Sequence, residues 1–286
     1  MISDIHGNIR ALDAVLDDIA RQGVDQILCG GDVPNPFLRS LDAWLKLKAL
    51  HIPIIRGNHE DYIVSYYSNH RPEIRSSVQF LPIQVVARHL GPQIAQEFAA
   101  LPFDHVVAGP GGDDLYLCHA SPLHNARSYI AGVDPKMADT LARIPARTIV
   151  AGHIHTQWSG RWRDKNLVIC GSVGLPHHGK PEAEYAIFTH SQGEWRWDLR
   201  TVPYDHEGAM REYLESGAIE QGGPIAWMLY DELWCAEPRL AFFLPQLFRQ
   251  TTARPTTLTE WAIAAQTYLK NIGRWADIQK RVPTAF

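Results

Sequence analysis

Aspartate and histidine residues recur in short clusters along the first 155 residues of the chain. Asp4 and His6 lie in "DIHGN", and His153 and His155 lie in "AGHIHTQW". Residues two apart in an extended segment point to the same side, so each pair could present two ligands in one direction. Imidazole and carboxylate groups that converge in this way are typical of sites for divalent metal ions.

Three further segments supply polar residues of the same kind, and they contain "GGD", "GNHE" and "CHASP". The candidate metal ligands from all five segments are Asp4, His6, Asp32, Asn58, His119, His153 and His155. Their nitrogen and oxygen donors suit Mn, Fe or Zn, with Mn favoured, and their number suffices for two divalent or trivalent ions. Asp32 is the best candidate for a carboxylate shared between the ions.

A structural role is the alternative for any one of these residues, because a single histidine on an apolar strand is more often a core or surface residue than a ligand. His105 and His190 are histidines for which we prefer the structural role. For five clustered segments, however, burial of so many polar groups without a cation would cost several kcal/mol for each group. The set as a whole therefore favours a metal centre.

The predicted secondary structure explains how these distant segments could meet. Amphipathic helices are expected over 9–22 and 37–50, and buried strands over 24–32 and 52–58. Only "MI" precedes the first polar loop, so the first strand is expected to be short. Such alternation predicts an α/β sheet with right-handed crossovers, in which ligands bind beyond the carboxyl ends of the strands.

Further strands are expected in the middle of the chain, after a mostly helical segment over 62–101. Three strands, over 113–122, 146–155 and 165–174, each end in a polar or glycine-rich loop. The alternating residues over 184–205 predict a closing antiparallel hairpin.

The pattern changes after residue 205, where helices are expected over 207–216 and 257–282 with proline-marked turns between them. We predict a main domain over 1–205 and a helical C-terminal extension over 206–286 that packs on it, since a tail of about 80 residues generally shares the main core. Its aromatic residues predict core packing or an oligomer interface rather than a base-stacking platform. These aromatic residues are Trp227, Tyr230, Trp234, Phe242, Phe243, Phe248, Trp261 and Trp275.

The composition is that of a globular protein: of 286 residues, 45% are hydrophobic and 20% are charged, with a formal net charge of −4. This balance argues against the extended basic surface that binding to a nucleic-acid backbone needs. The four cysteines form no CxxC pair, which predicts reduced thiols, and the chain has no run of 18 apolar residues that would predict a membrane span. A cytoplasmic protein is therefore expected.

The order of the motifs "DIHGN", "GGD", "GNHE", "CHASP" and "GHIH" resembles the calcineurin-like metallophosphoesterase superfamily. The later "GSVGLP" extends the resemblance to the bacterial branch that includes the YfcE-type phosphodiesterases. The resemblance covers roughly the first 205 residues. It implies a four-layer α/β/β/α sandwich of two mixed sheets, to which the C-terminal helical extension would be added.

The resemblance also implies how the ligands divide between two ions. One ion would be held by Asp4, His6, Asp32 and His155, and the other by Asp32, Asn58, His119 and His153. A hydroxide that bridges the ions would attack the phosphorus of a phosphodiester or phosphomonoester. His59 matches the histidine of the family that is not a ligand and lies near the leaving group. Protonated His59 would donate to the departing alkoxide, and Glu60 or Asp61 could tune it.

Two other functions remain as alternatives. Protein Ser/Thr phosphatases and diadenosine tetraphosphatases of the superfamily carry G-D-x-x-D-R-G, whereas this chain has "GGDVPNPFL", without the second Asp and the Arg. This difference disfavours a dinucleoside polyphosphate hydrolase or a protein Ser/Thr phosphatase without excluding either, and together they are the first alternative. A non-catalytic scaffold of the same fold is the second, and the complete ligand set disfavours it. We expect a small phosphorylated substrate and leave a homo-oligomer open.

Substrate contacts are harder to assign from the residues alone. Arg56 precedes "GNHE" and is a candidate for phosphate binding, although arginine is also common on surfaces. His177, His178 and Lys180 follow "GSVGLP", and either a phosphate contact or an exposed loop is compatible with them. The segment over 62–75 is a candidate wall or lid of the substrate pocket.

Overall fold

The computed structural model describes residues 1–37, 39–250 and 254–282. Within them the chain has a mixed α/β fold with a five-stranded mixed sheet, a two-stranded sheet and C-terminal helices. The strands are β1 (Asp104–Val107), β2 (Leu115–Cys118), β3 (Thr148–Ala151), β4 (Trp158–Trp162), β5 (Lys165–Ile169), β6 (Glu182–Ser191) and β7 (Glu194–Pro203). The α-helices are α1 (Ile9–Gln22), α2 (Ser40–Ala49), α3 (Asn58–Ser68), α4 (Glu73–Ser76), α5 (Leu81–Ala99), α6 (Pro135–Arg143), α7 (His206–Glu215), α8 (Ala218–Cys235), α9 (Leu240–Gln250), α10 (Leu258–Asn271) and α11 (Trp275–Arg281).

The five-stranded sheet has the order β1-β2-β3-β5-β4, with β2, β3 and β5 parallel and the two edge strands antiparallel. The three central strands are those predicted from apolar runs, and they are largely buried. The edge strands β1 and β4 were not predicted, because both are half exposed and lack a continuous apolar run. Since β2 and β3 are parallel, the residues that follow them lie at one edge of the sheet.

The first three predicted strands are shorter in the structure than the sequence indicates. Ile2, Cys29 and Ile54 form isolated parallel bridges, in the order Ile2–Cys29–Ile54. The Gly30 N–H donates to the Ile2 carbonyl at 2.8 Å, and the Ile55 N–H donates to the Cys29 carbonyl at 3.0 Å. These segments end early because the residues that follow the first two bridges turn into the left-handed region of the backbone.

The predicted antiparallel hairpin is confirmed as β6 and β7, with a register that runs from Glu182 opposite Pro203 to Ser191 opposite Glu194. Reciprocal backbone bonds join Met1 and Ala186, so the hairpin lies beside the first bridge. The α/β class is confirmed, whereas the four-layer sandwich stays a prediction.

The first predicted helix is confirmed with the same bounds, Ile9–Gln22. The Asn8 side chain caps its start by accepting from the Ala11 N–H at 3.2 Å. Gly23 ends it in the left-handed conformation, with φ 65°. The apolar face of α1 belongs to the core that also contains Tyr185 of β6.

The C-terminal helices share an apolar core that also includes Phe37 and Leu175 from the first 205 residues. Most of the predicted aromatic residues of the extension lie in this core, whereas Phe242 is exposed. The helix predicted over 257–282 is divided into α10 and α11, because Gly273 takes a positive φ of 74° between them. Helices α8 and α9 were not predicted, since each contains an internal proline.

Two predictions from composition can be compared with the structure. The four cysteines are free thiols, and three of them are buried. No helix in the part of the chain that the structure describes is both long and apolar enough to cross a bilayer. The division at residue 205 remains a prediction.

Candidate metal centre

The predicted ligands come from five separate segments of the chain and lie close together. Four of them, Asp4, His6, Asp32 and His155, have donor atoms within 4.8 Å of one another, and Asp32, His119 and His153 form a second such group. Asn58 adjoins the second group, because its Oδ1 lies 3.0 Å from Nε2 of His119. Asp32 is thus common to both groups, as a bridging carboxylate would be.

The backbone at these ligands is left-handed rather than extended. Asp4, His6, Asp32, His153 and His155 all have φ between 53° and 69°. This conformation costs a residue with a side chain about 1 kcal/mol or more, and clusters of it mark functional sites. The premise that each pair lies on one side of an extended segment was therefore wrong. The turn between the two histidines places them in different groups.

The donor atoms of the first group converge on one position. Nδ1 of His6 faces the carbonyl oxygen of Asn35, which can only accept, so this nitrogen carries the proton. The lone pair on Nε2 of His6 therefore faces Nε2 of His155, 3.0 Å away. Oδ1 of Asp4 lies 3.2 Å from the same His155 atom and has no hydrogen-bond partner. A divalent cation would satisfy all three groups.

The second group has the same arrangement. Nδ1 of His119 donates to the Gly30 carbonyl at 2.7 Å, while Nε2 faces Oδ1 of Asn58 at 3.0 Å and Oδ2 of Asp32 at 3.4 Å. Burial alone would lower the pKa of His119, but the Asp32 and Asp4 carboxylates outweigh it and raise the pKa to about 10. The acceptors around Nε2 thus favour a positive charge at this position.

Both carboxylates of the cluster have lowered pKa values. Burial would raise the pKa of Asp4, but the positive charge of His155 holds that pKa well below its usual range. For Asp32 the effect of burial is likewise outweighed, by His119 and His59, and its pKa is also lowered. Carboxylates, oriented imidazoles and an amide oxygen form a donor set that fits two metal ions.

Glu60 fixes the loops that carry these ligands. Its carboxylate accepts from the backbone N–H groups of Asp32, Val33 and Gly57 at 2.9, 2.8 and 2.8 Å. Burial and the Asp32 charge raise the pKa of Glu60 to about 7. The expectation that Glu60 tunes His59 was wrong, because its oxygens are used by the backbone.

His59 is instead in contact with Asn35. Nδ2 of Asn35 lies 3.3 Å from Nδ1 of His59, and the backbone N–H of His59 donates to Oδ1 of Asp32 at 2.8 Å. Asn35 stands three residues after Asp32, where the D-x-x-D motif has its second acid. The expectation that Asp61 tunes His59 was also wrong, since the Asp61 carboxylate lies 3.1 Å from Nε of Arg56.

The candidate phosphate contacts lie elsewhere than predicted. Arg56 pairs with Asp61 and does not line the cavity beside the metal ligands. His177 contacts Glu232 at 2.8 Å, and His178 contacts Glu184 at 3.2 Å, while Lys180 is exposed. Two of the three loop residues thus face carboxylates.

A cavity of about 340 Å³ opens beside the cluster. Tyr62 lines it, so the first residue of the predicted wall segment 62–75 is in place. Phe80, Pro82 and Ile83 form a second part of the wall. The residues from α8 and α9 that line it are Ile225, Leu229, Glu232, Leu240, Ala241 and Leu244. Sequence reasoning missed this contribution, although the apolar run "LAFFLPQLF" was a signal for a buried helix.

The chain is similar to known proteins in sequence and in fold. Residues 1–193 match the family described as the calcineurin-like phosphoesterase superfamily domain. A metallophosphoesterase from Sphaerobacter thermophilus has a similar fold, with a TM-score of 0.65 and 22% identity, covering 82% of this chain and 98% of that one. The hypothetical protein PH1004 from Pyrococcus horikoshii gives a TM-score of 0.61 and 17% identity, with 77% and 94% covered.

A curated relative by sequence is the uncharacterized protein MJ0912 from Methanocaldococcus jannaschii. It is 23% identical over 232 residues, which are 76% of this chain and 91% of that protein. The likeness extends past residue 193, into the part of the chain that the family match leaves out.

Proposed function

The chain belongs to the calcineurin-like phosphoesterase superfamily and is a hydrolase of phosphoric ester bonds, and from this premise we propose a dinuclear metal-dependent phosphoesterase. It acts on phosphodiesters or phosphomonoesters of small molecules. The observation that carries the proposal is the pair of ligand groups that share Asp32. A single-metal site would not need a carboxylate placed between two sets of imidazoles.

In this proposal the ligands divide as the two groups do. One ion is held by Asp4, His6, Asp32 and His155, and the other by Asp32, Asn58, His119 and His153. When bound, the ions would offset charge on the phosphoryl oxygens and lower the pKa of a water molecule. The donor set suits Mn, Fe or Zn, and we favour Mn.

The chain's own residues prepare this site before any ion binds. The carbonyls of Asn35 and Gly30 hold Nδ1 of His6 and of His119 as the donor nitrogen, so that Nε2 of each ring is the atom left for a metal ion. The left-handed turns aim the carboxylates and imidazoles inward. This preorganisation reduces the rearrangement that metal binding requires.

His59 is the proposed general acid. The Asn35 amide nitrogen donates to Nδ1, so the proton of neutral His59 sits on Nε2, and His59 lines the cavity. In the protonated ring the same atom would donate to the leaving oxygen. Asn35 orients the ring without the negative charge that an aspartate would add.

The alternative activities fit the site less well. A dinucleoside polyphosphate hydrolase or a protein Ser/Thr phosphatase would need the acid and the arginine that Asn35 and Pro36 replace. The scaffold alternative leaves the converging donors unexplained. We also propose that the bridges at Ile2, Cys29 and Ile54 extend the hairpin into the second sheet of the family sandwich.

The test is an activity panel on protein reloaded with Mn, Fe or Zn, with elemental analysis of the same samples. The panel compares bis-nitrophenyl phosphate, nitrophenyl phosphate, cyclic nucleotides and dinucleoside polyphosphates. We expect two ions per chain and hydrolysis of at least one of the simple esters. Asp32→Asn should lose both metal binding and activity, whereas Asp17→Asn, at an exposed position of α1, should lose neither. An active wild-type protein that binds a single ion would contradict the proposal.

A further inference from the structure

The cavity beside the metal ligands has two chemically different walls. One wall carries the cluster itself, with His6, Asp32 and Asn58, and a second wall is formed by α8 and α9. What this second wall implies for the substrate rests on the proposed phosphoesterase function.

The wall formed by α8 and α9 is apolar, because each helix turns an apolar face to the cavity. Ile225 and Leu229 are four residues apart on α8, and Leu240 and Leu244 are four residues apart on α9, so each pair lies on one helix face. Phe80 adds an aromatic ring from the segment before α5. A group that leaves water to pack here gains roughly 0.8 kcal/mol for each methylene it buries.

The charges around the cavity disfavour a substrate with additional phosphates. Among the described residues that line it, none is Lys or Arg, and the charged residue outside the cluster is the acid Glu232. Arg71 lies over the rings of Tyr62 and Phe80, at 5.4 and 5.9 Å, and pairs with Glu73 at 2.8 Å. Arg71 itself does not line the cavity. A second phosphate inside the cavity would therefore meet no Lys or Arg of the described lining.

Glu232 itself is held in place at the edge of the apolar wall. Its Oε1 lies 2.8 Å from Nε2 of His177 and accepts from the backbone N–H of Arg239 at 3.3 Å. The carboxylate therefore stays at this position and repels an anionic group that approaches the wall.

The size of the cavity limits the substrate further. Its volume of about 340 Å³ is at the small end of the range for small-molecule sites. A phosphoryl group at the metal ligands leaves room inside the cavity for a compact organic group.

We propose that the substrate is a small phosphoester with a single phosphate and a hydrophobic organic group, aryl or short alkyl. The phosphoryl group lies at the metal ligands, and the hydrophobic group packs against Ile225, Leu229 and Leu244. The C-terminal helices thus determine specificity in an enzyme whose metal ligands all come from the first 155 residues.

The test uses the full-length, metal-loaded enzyme and a homologous series of ethyl, butyl and hexyl phosphates. The corresponding alkyl 4-nitrophenyl diesters form a parallel series. We expect kcat/KM to rise about threefold to fourfold for each methylene, until the cavity is filled. Ribose 5-phosphate and diadenosine tetraphosphate should be hydrolysed at least tenfold less efficiently than hexyl phosphate.

Variants connect this preference to the wall. Leu244→Asn and Leu229→Asn should reduce the hexyl-to-ethyl ratio of kcat/KM at least tenfold. Phe242→Asn is the matched control, because Phe242 is on the same helix α9, is 62% exposed and does not line the cavity. Leu229 is buried, so if its variant fails to fold, Leu244, which is only partly buried, still decides.

The possible results separate this inference from the proposed function. Three results would overturn the hydrophobic substrate class alone. They are hydrolysis of the esters with a kcat/KM that does not change with alkyl length, a preference for the polar or nucleotide substrates, and an unchanged hexyl-to-ethyl ratio in Leu244→Asn. Lack of hydrolysis of every ester by enzyme that carries two ions would overturn the phosphoesterase function itself.

Discussion

At the scale of single residues, His59 and Asn35 distinguish this site from relatives that carry an acid in the D-x-x-D position. An Asp partner would raise the proton affinity of the histidine, whereas the Asn35 amide only orients it. Burial lowers the pKa of His59, and the Asp32 charge opposes this effect only in part. His59 as general acid should therefore contribute most to the hydrolysis of esters with poor leaving groups, whose departing oxygen needs a proton.

His59→Ala should retain both metal ions and lose activity unevenly. The loss should be about 10²- to 10⁴-fold for alkyl esters, because their alkoxides need a proton on departure. Nitrophenyl esters should lose much less, since nitrophenolate leaves without one. Steady-state kinetics on the two substrates, together with metal analysis, measures the difference. An equal loss on both would exclude the acid role.

Glu184 predicts a pH dependence of stability that is independent of catalysis. Burial raises its pKa from 4.5 to about 7 in the folded protein. Because the folded chain binds this proton more tightly, the stabilisation is complete below pH 4.5 and is lost as the pH rises through about 7. Between pH 4.5 and pH 8 the free energy of unfolding should thus fall by about 3 kcal/mol.

Glu184→Gln should therefore become more stable relative to the wild type as the pH rises from 5 to 8, by up to about 3 kcal/mol. Urea unfolding at the two pH values gives this double difference. Glu194→Gln, at an exposed position of the same hairpin, should show no such change. A difference between Glu184→Gln and wild type that is independent of pH would refute the assignment.

The residue types of the metal cluster were predictable because each ligand follows an apolar segment and the motifs come in a specific order. The backbone conformation was not, since the left-handed turns at Asp4 and His153 depend on loops that meet only in the fold. The partners of Glu60 and His59 were missed for the same reason. Both contact residues more than 20 positions away in the chain.

At the scale of elements, α8 shows how an irregular backbone positions the substrate wall. Gly223 has φ 60° and ψ −150°, a conformation open almost only to glycine, and Pro224 follows it. Sequence patterns read such a Gly-Pro pair as a turn, which is why this helix was missed. The break directs the second part of α8, with Ile225 and Leu229, toward the cavity.

Gly223→Ala should destabilise the protein by about 2–3 kcal/mol, because the new methyl would require a strained backbone. It would also lie 3.1 Å from Cδ1 of Leu258 and 3.3 Å from Cδ1 of Leu81. Gly23→Ala is the control, since its methyl would meet open space and a left-handed alanine costs about 1 kcal/mol. Equal costs for the two variants in urea unfolding would contradict this account of α8.

At the scale of the whole molecule, the metal cluster and the substrate wall come from different parts of the chain. The family match ends at residue 193, whereas the α8 and α9 part of the cavity wall lies between Ile225 and Leu244. The mixed α/β class and the position of the site were predictable from alternating apolar segments. The joint apolar core with Phe37 and Leu175 was not, because no periodicity reports which helix faces meet.

Chelation should lower the stability of the whole chain, because removal of the cations leaves buried carboxylates facing imidazoles. Ions present at about 1,000 times their dissociation constant stabilise by about 4 kcal/mol, so EDTA should lower Tm by roughly 10 °C. Thermal unfolding with and without EDTA measures the effect, and Asp32→Asn should show a much smaller shift. An unchanged Tm after verified metal removal would contradict a structural contribution of the ions.

The buried carboxylate of Glu60 has one more consequence. Since it holds the amides of Asp32 and Val33 in one loop and the amide of Gly57 in another, neither loop can open without releasing the other. In hydrogen–deuterium exchange these three amides should therefore exchange together, with one common protection factor, as a single cooperative unit of local unfolding.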